Sequence, residues 1–408
     1  MEKKPLKLPL PLWIRLKEGV RIIRTYADLR DFKLVVIVAG EASADLHGSN
    51  LVKAIRALDS GVIFCGIGGE KMKKAGVKTF FSSSEMAVVG LTEVFSRLHT
   101  IVRASIRLKS ILKNERPDLL VLIDYPDFNI HIARTAKRFK IPVLYYISPQ
   151  IWAWRSGRIR KIARRVDRMA VILPFEEELY KQRFVKADYV GHPLLDVDSS
   201  DVNKEQIKIK LGAGEYHPVV GLLPGSRKEE IKNLLPVMVH AAEIMTLQYP
   251  DIRCCLPLAE TIPPDLIYPI VEKSPIEIKI FRRNISQVLG ICDVALVASG
   301  TATLETAIMG IPMVIVYKVS PASYWMGKIV IKVPHIGLPN LVAGEEVVPE
   351  LIQSEVTANR LAHEALTILQ HDDIRKNMIK KLQGIRQILG SGGASDRTAK
   401  IALKMMEK

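Results

Sequence analysis

The sequence is short of several things, and each shortage excludes something. No run of about 18 apolar residues occurs, so no transmembrane helix is expected. The N-terminus lacks the apolar core and small-residue cleavage site of a signal peptide. The four cysteines (Cys65, Cys254, Cys255 and Cys292) fit neither a metal site nor a disulfide framework, and a reduced, cytoplasmic setting suits them. The G-x-G-x-x-G fingerprint is absent. So are internal repeats and low-complexity tracts. Acidic residues are outnumbered, with 43 Asp and Glu against 59 Lys and Arg, a formal net charge of +16.

What is present suits a soluble globular protein. The 408 residues allow two domains, each with its own core, at an ordinary apolar content of 48%. The excess positive charge is uneven. Residues 1–33 carry nine Lys or Arg against four Asp or Glu, and residues 155–168 carry seven against one. An anionic lipid surface, nucleic acid or a phosphorylated substrate would each answer to this, and so would a solvated basic face. In residues 1–33, Trp13, Leu16, Val20, Ile23 and Ala27 recur at spacings of three and four, which predicts an amphipathic helix, interfacial or packed on the protein's own surface.

From Leu34 onward strands and helices alternate. Leu34–Ala39 is a continuous apolar strand, followed by a helix ending near Leu58. Strands are expected at 62–66, 119–123, 143–147 and 169–173. A second series has strands at 219–223, 252–258, 276–281, 294–298 and 313–317, with a helix near 234–249. Strands apolar throughout suit parallel sheets covered on both faces. The turn-rich stretch 191–203 is the expected linker. The expected divisions are a basic extension over 1–33, a Rossmann-like domain over 34–200, a second over 201–356, and helices over 357–408.

Ligands of such sheets bind beyond the carboxyl ends of the strands, so the informative loops follow strands. Gly40-Glu41-Ala-Ser43-Ala-Asp45 offers close approach, with Glu41 suited to sugar hydroxyls and Ser43 or Asp45 to capping a helix. Asp124-Tyr-Pro-Asp127-Phe-Asn129 sets two carboxylates and an amide at the cleft mouth. Asp124 is the best-placed general base, and Asp127 caps the next helix or orients Asp124. Gly225-Ser226-Arg227 offers backbone N–H groups and a guanidinium to a diphosphate. Ser299-Gly300-Thr301-Ala302 opens a helix whose start favours an anion, with Glu305 expected in its first turn, where it can reach a sugar hydroxyl beside a bound phosphate. Neither of these two loops carries a metal-binding carboxylate cluster, so neither metal nor cofactor is expected. The apolar face Leu91, Val94, Phe95, Leu98 and Ile101, followed by Arg103, Arg107, Lys109 and Lys113, reads as a core helix or as a surface for acyl chains and lipid headgroups. Trp152-Ala-Trp154 stacks on a sugar or fills the core.

Together these loops resemble the lipid-A-disaccharide synthase family of bacterial glycosyltransferases. The stretches that carry the resemblance are Ala39-Gly-Glu-Ala-Ser43, Ile123-Asp-Tyr-Pro-Asp-Phe-Asn129, Ser148-Pro-Gln-Ile-Trp-Ala-Trp-Arg155, Leu173-Pro-Phe-Glu176, Gly191-His192, Leu222-Leu-Pro-Gly-Ser-Arg227, Ala298-Ser-Gly-Thr-Ala302 and Leu338-Pro-Asn-Leu-Val-Ala-Gly344, in the family's order. The resemblance implies an α/β protein of GT-B architecture, two Rossmann-like domains flanking a cleft. It implies a UDP-sugar donor, an acylated sugar phosphate acceptor, inversion at the sugar and peripheral contact with an anionic membrane, with no nucleic acid partner. Asp124 matches the family's base, Glu41 its acidic residue in the first loop, and Arg227, Glu305 and Asn340 its nucleotide- and phosphate-binding positions. Ala44 stands where the family usually has glycine, so this turn must accommodate a Cβ. Alternatives to this reading are another GT-B enzyme acting on UDP-GlcNAc, transferase or epimerase, or a non-enzymatic basic protein.

Overall fold

The computed structural model describes residues 14–16, 19–21, 32–86, 91–149, 156–196, 204–214, 217–258, 262–282, 285–320, 324 and 333–407, with side chains undescribed at a few of these, residues 91–98 among them. Packing divides the chain into two compact units. One comprises Met1–Ile147, Ile162–Met169 and Ser395–Lys408, and the other Ser148–Lys161 and Ala170–Ala394. The last helix, Ala394–Met406, therefore belongs almost wholly to the first unit although it comes last in sequence. Residues 197–203 of the expected linker lie outside the described residues.

Strands β1 (Ile14–Leu16) and β2 (Gly19–Arg21) form an antiparallel hairpin pairing Leu16 with Gly19. This corrects the helix expected there. Gly19 is costly inside a helix, and β-branched Ile14 and Val20 favour the extended chain. Trp13, Ile23 and Ala27 lie outside the described residues.

Two parallel sheets follow. The first contains β3 (Lys33–Ala39), β4 (Val62–Ile67), β5 (Lys78–Phe81), β6 (Leu119–Ile123), β7 (Val143–Tyr146), β8 (Arg168–Val171) and β9 (Ala187–Tyr189), in the order β5-β4-β3-β6-β7-β8-β9. The second contains β10 (Val219–Leu223), β11 (Arg253–Leu258), β12 (Ile278–Arg282), β13 (Val294–Ala298), β14 (Met313–Tyr317) and β15 (Glu350–Ile352), in the order β12-β11-β10-β13-β14-β15. In each sheet the chain starts centrally, adds strands to one side, then returns to build the other. The point of reversal lies between β3 and β6 in the first sheet and between β10 and β13 in the second.

Burial explains the strands. Val35–Ala39 and Leu119–Ile123 are wholly inaccessible, as are Val294–Val297. Each Val, Leu or Ile among them gains about 1.5–3 kcal/mol over an exposed one. A recurrent device fixes the feet of the strands. Asp118, Asp167 and Asp293 each turn a carboxylate to an N–H at the start of a neighbouring strand, that of Leu34 (2.8 Å), Val143 (2.9 Å) and Val219 (2.8 Å). Strands β5, β9 and β15 were not expected; each is only three or four residues long. The helix expected near 234–249 begins earlier, as Lys228–Gln248, and carries Pro236 inside it. Among the described residues no helix is long and apolar enough to cross a membrane.

Candidate active site

In the first unit, the register pairs Ala39 with Ile123, so Gly40 and Asp124 are the next residues beyond adjacent strand ends. This is the reversal point where such sheets bind ligands. Asp124 and Tyr125 both adopt left-handed backbone, with φ of 47° and 46°. The conformation costs roughly 1–2 kcal/mol per residue away from glycine. It persists because the loop is clamped. The Asp124 carbonyl accepts from Asn129 Nδ2 (2.6 Å) and from the Tyr145 hydroxyl (2.5 Å), while Asn129 Nδ2 also donates to the Ile123 carbonyl (3.2 Å). Such strain clusters at functional sites.

Asn129 is fully buried beneath the loop, which corrects its expected place at the cleft mouth. It holds Asp124 in position. Tyr145 does the same and was not foreseen, although the two hydroxyls of Tyr145 and Tyr146 in a buried strand were a signal. Asp127 is exposed in the first turn of the Pro126–Arg138 helix, where the helix dipole favours a carboxylate. Glu41 is half-buried at the N-cap of the Ala42–Leu58 helix. The Tyr125 ring covers Gly40 so closely that a Cβ there would lie 2.6 Å from it. The Tyr125 hydroxyl donates to the Met86 carbonyl (3.0 Å), and burial, then the Glu41 and Asp127 charges, push its pKa up.

Asp45 does not serve its own helix. Its buried carboxylate accepts from Gly69 (2.6 Å), Lys71 (3.0 Å) and Met72 (3.1 Å), capping the Glu70–Lys74 helix. Ser43 is exposed. Ala44 is buried and helical, so its Cβ meets ordinary helix geometry and the turn is undisturbed.

In the second unit, Leu223 pairs with Val297, which levels the ends of β10 and β13 and brings the loops beyond them to one edge. Gly225 has φ 107°, and a Cβ on it would fall 2.2 Å from Glu230 Oε2. The reason is that a carboxylate already sits in the loop. Glu230 Oε2 accepts from the N–H groups of Ser226 (2.9 Å) and Arg227 (3.2 Å), and Oε1 from Arg227 Nη1 (3.2 Å). This is an anion nest, and the chain fills it with its own carboxylate. Tyr317, at the end of β14, shares the field of Arg227 and Glu230, with burial the main cause of its raised pKa.

Across the edge, the Thr301–Ile308 helix begins at Gly300, above which space is open. The N–H groups of a first helical turn have no intrahelical acceptor, so Thr301, exposed, and Ala302, half-buried, can donate to a ligand. Ser299 is committed elsewhere. Its N–H donates to the Val316 carbonyl (2.9 Å) and its hydroxyl to the Ile336 carbonyl (3.3 Å). Glu305 lies in the second turn of the helix, not the first as expected. Ser286, which the sequence did not flag, donates to its Oε1 (2.5 Å), and burial pushes its pKa up.

Asn340 is corrected from a ligand contact to a positioning residue. Fully buried, its Nδ2 donates to the Val348 carbonyl (2.8 Å) and Glu350 Oε1 (2.7 Å), and its Oδ1 accepts from Val347 (2.8 Å) and Val348 (3.0 Å). An amide side chain has four such positions, and all are taken. Glu350 also accepts from Ile336 (2.8 Å) and Gly337 (3.0 Å), fastening the start of the Leu338–Ala343 helix. Glu176, also buried, accepts from Ser148 Oγ (2.6 Å) and holds Ser148-Pro149. Trp152, Trp154 and Arg155 lie outside the described residues, as do the side chains of 91–98. Among the described residues no group of three His, Cys, Asp or Glu could hold a metal ion.

The chemistry available is a carboxylate on a clamped loop at one sheet's reversal point and an anion nest with a guanidinium at the other's. The S. aureus MnaA–UDP co-structure shares the fold at 13% identity, covering 92% of this chain and 98% of that one, with a TM-score of 0.63. The fold is that of GT-B glycosyltransferases and UDP-GlcNAc epimerases, two Rossmann-like domains. The Lipid-A-disaccharide synthetase family model matches residues 35–404. The lipid-A-disaccharide synthase of Geobacter metallireducens is 49% identical over 376 residues, 92% of this chain and 98% of that protein. That of Syntrophus aciditrophicus is 48% identical over 377 residues, again 92% and 98%. On this likeness and on the family motifs at both reversal points, the chain belongs to the lipid-A-disaccharide synthetase family, whose members are glycosyltransferases.

Proposed function

We propose that the chain joins UDP-2,3-diacylglucosamine to 2,3-diacylglucosamine 1-phosphate in one inverting displacement, giving the β-1,6-linked disaccharide 1-phosphate and UDP. Asp124 takes the proton from the acceptor's 6-hydroxyl, and Glu41 assists from the adjacent strand end. The oxygen attacks the donor's anomeric carbon. Charge then builds on the leaving diphosphate, where Arg227 and the amides of Ser226, Thr301 and Ala302 stabilise it. Glu305 reaches the ribose once the donor is seated. Residues 34–200 serve the acceptor and 201–356 the donor, and the two close on their substrates to exclude water. The acylated substrates are taken from the inner face of the inner membrane, where the basic chain makes peripheral contact with anionic lipid.

The observation that carries this reading is the pair of reversal points. One sets the loops of Glu41 and Asp124 beyond adjacent strand ends, and the other does so for the loops of Gly225–Arg227 and Thr301–Ala302. The test is an assay of purified protein with both acylated substrates, following UDP and the lipid product. The Asp124→Asn variant keeps UDP affinity and loses turnover by roughly two orders of magnitude or more. Undiminished turnover in that variant removes Asp124 as the base.

A further inference from the structure

In the first unit, the Leu91–Asn114 and Pro126–Arg138 helices border an open cavity of about 740 Å3. Lys109, Lys113, His131, Arg134 and Arg138 line it together with Phe139, and no Asp or Glu does. The spacing of four puts Lys109 and Lys113 on one face of their helix, and Arg134 and Arg138 on one face of theirs. Among the described residues, none of these four cations forms an ion pair. Nearby Lys137, by contrast, is paired with Asp167 at 2.6 Å.

The cluster is packed against itself. Lys109 Nζ lies 2.8 Å from His131 Nε2, a contact in which the ammonium donates to a neutral imidazole. Burial, then the charges of Lys109, Arg165 and Arg134, push the His131 pKa down. Arg165 donates to the Ile130 carbonyl (3.0 Å), and Arg116 stacks on Phe139 with its guanidinium 4.9 Å from the ring centre. Concentrating like charges around one concavity opposes folding, and an anion seated there relieves it. Forked guanidinium donors and ammonium groups match phosphate oxygens.

We infer that this cavity binds the phosphate group of a phosphomonoester or phosphodiester, gripped by Lys113, Arg134 and Arg138. It is distinct from the Asp124 loop. A helix rises about 1.5 Å per residue, so Arg134 and Arg138 stand about 12 and 18 Å along it from Pro126. The inference deepens the membrane contact proposed above if the phosphate is a lipid headgroup's. It stands without that contact if the phosphate is soluble.

The experiment compares the full chain with two variants of equal charge change. Lys113→Gln/Arg134→Gln/Arg138→Gln empties the cavity of cations. Lys53→Gln/Lys71→Gln/Lys74→Gln removes exposed cations elsewhere on the first unit. One arm titrates inorganic phosphate and glycerol 3-phosphate, following the His131 ring by NMR. The other sediments vesicles of phosphatidylglycerol against vesicles of phosphatidylcholine. The parent is expected to bind in at least one arm, the cavity variant at least about tenfold more weakly, and the control variant near the parent. Binding of soluble phosphate with an upward shift of the His131 pKa supports a soluble ligand. Binding confined to phosphatidylglycerol vesicles supports a lipid headgroup. Binding by the parent in neither arm, or equal loss in both variants, overturns the inference. Glycosyl transfer by the parent on detergent-dispersed substrates is read separately, so that reaction and this site can fail independently.

Discussion

Glu230 fills the nest proposed for the donor diphosphate, and replacing it tests whether the Gly225–Arg227 loop is the donor's anion site. Its carboxylate takes two backbone N–H groups and one guanidinium N–H at 2.9–3.2 Å. The Arg227 side chain is 59% exposed and that of Glu230 25%, so solvent screens the ion pair and its share is only about 0.2–1 kcal/mol. The carboxylate's bonds to the amides of Ser226 and of the N-cap Arg227 resemble half of a capping box and add about 1 kcal/mol. A diphosphate entering the nest must therefore displace an interaction of roughly 1–2 kcal/mol, a factor of about 5–30 in affinity. Glu230→Gln keeps an acceptor of the same size but removes the charge. UDP affinity, measured by calorimetry, is expected to rise by up to that factor. Glu229→Gln is the control. It removes the same charge from the same helical turn, from a carboxylate that faces Lys232 (3.4 Å) instead of the nest. If Glu230→Gln binds UDP no more tightly than the parent, or gains no more than Glu229→Gln, then the diphosphate does not use this nest.

Three further outcomes are expected. Asn129→Ala removes the amide that bonds the Ile123 and Asp124 carbonyls, leaving the Asp124 carbonyl to the Tyr145 hydroxyl, and loosens a strained turn, so stability falls by about 1–3 kcal/mol in denaturant titration and turnover falls with UDP affinity retained. Asn340→Ala strips four hydrogen bonds from a buried site. The loss is about 2–4 kcal/mol, and Asn340→Asp does not rescue it, because a carboxylate cannot donate to Val348 and repels Glu350. Burial raises the Glu305 pKa above the ordinary carboxylate range, so the folded chain holds that proton more tightly than the unfolded one. Its contribution to stability is complete below the unfolded pKa of about 4.3 and is lost as pH rises through the folded value. The Tm of Glu305→Gln, measured against the parent from about pH 4 to pH 7, should gain on it as pH rises, and a gap independent of pH removes Glu305 as the titrating group.

Much of the fold was legible because it is written locally. Val219–Leu223, Val294–Ala298 and Met313–Tyr317 are apolar runs bounded by turn residues, and each is the strand expected. Short strands such as Ala187–Tyr189 and Glu350–Ile352 carry too few residues for a period to show. The start of the Lys228–Gln248 helix was missed because its first turn is polar and is fixed by Glu230, not by an apolar face. The hairpin at Ile14–Arg21 shows the converse error, a spacing of three and four that backbone preference overrode.

The chain by itself determined which loops follow strands, and so which residues compete for the site: Glu41, Asp124, Arg227, and the small residues around Gly300. Only the tertiary structure decided that these loops meet in pairs, because the order of strands in a parallel sheet is a non-local choice that no single segment encodes. It also decided which polar side chains are already spent. Asn129, Ser299 and Asn340 look in sequence like ligand contacts, yet each donates or accepts inside its own unit, since a buried polar group must find a partner wherever the packing supplies one.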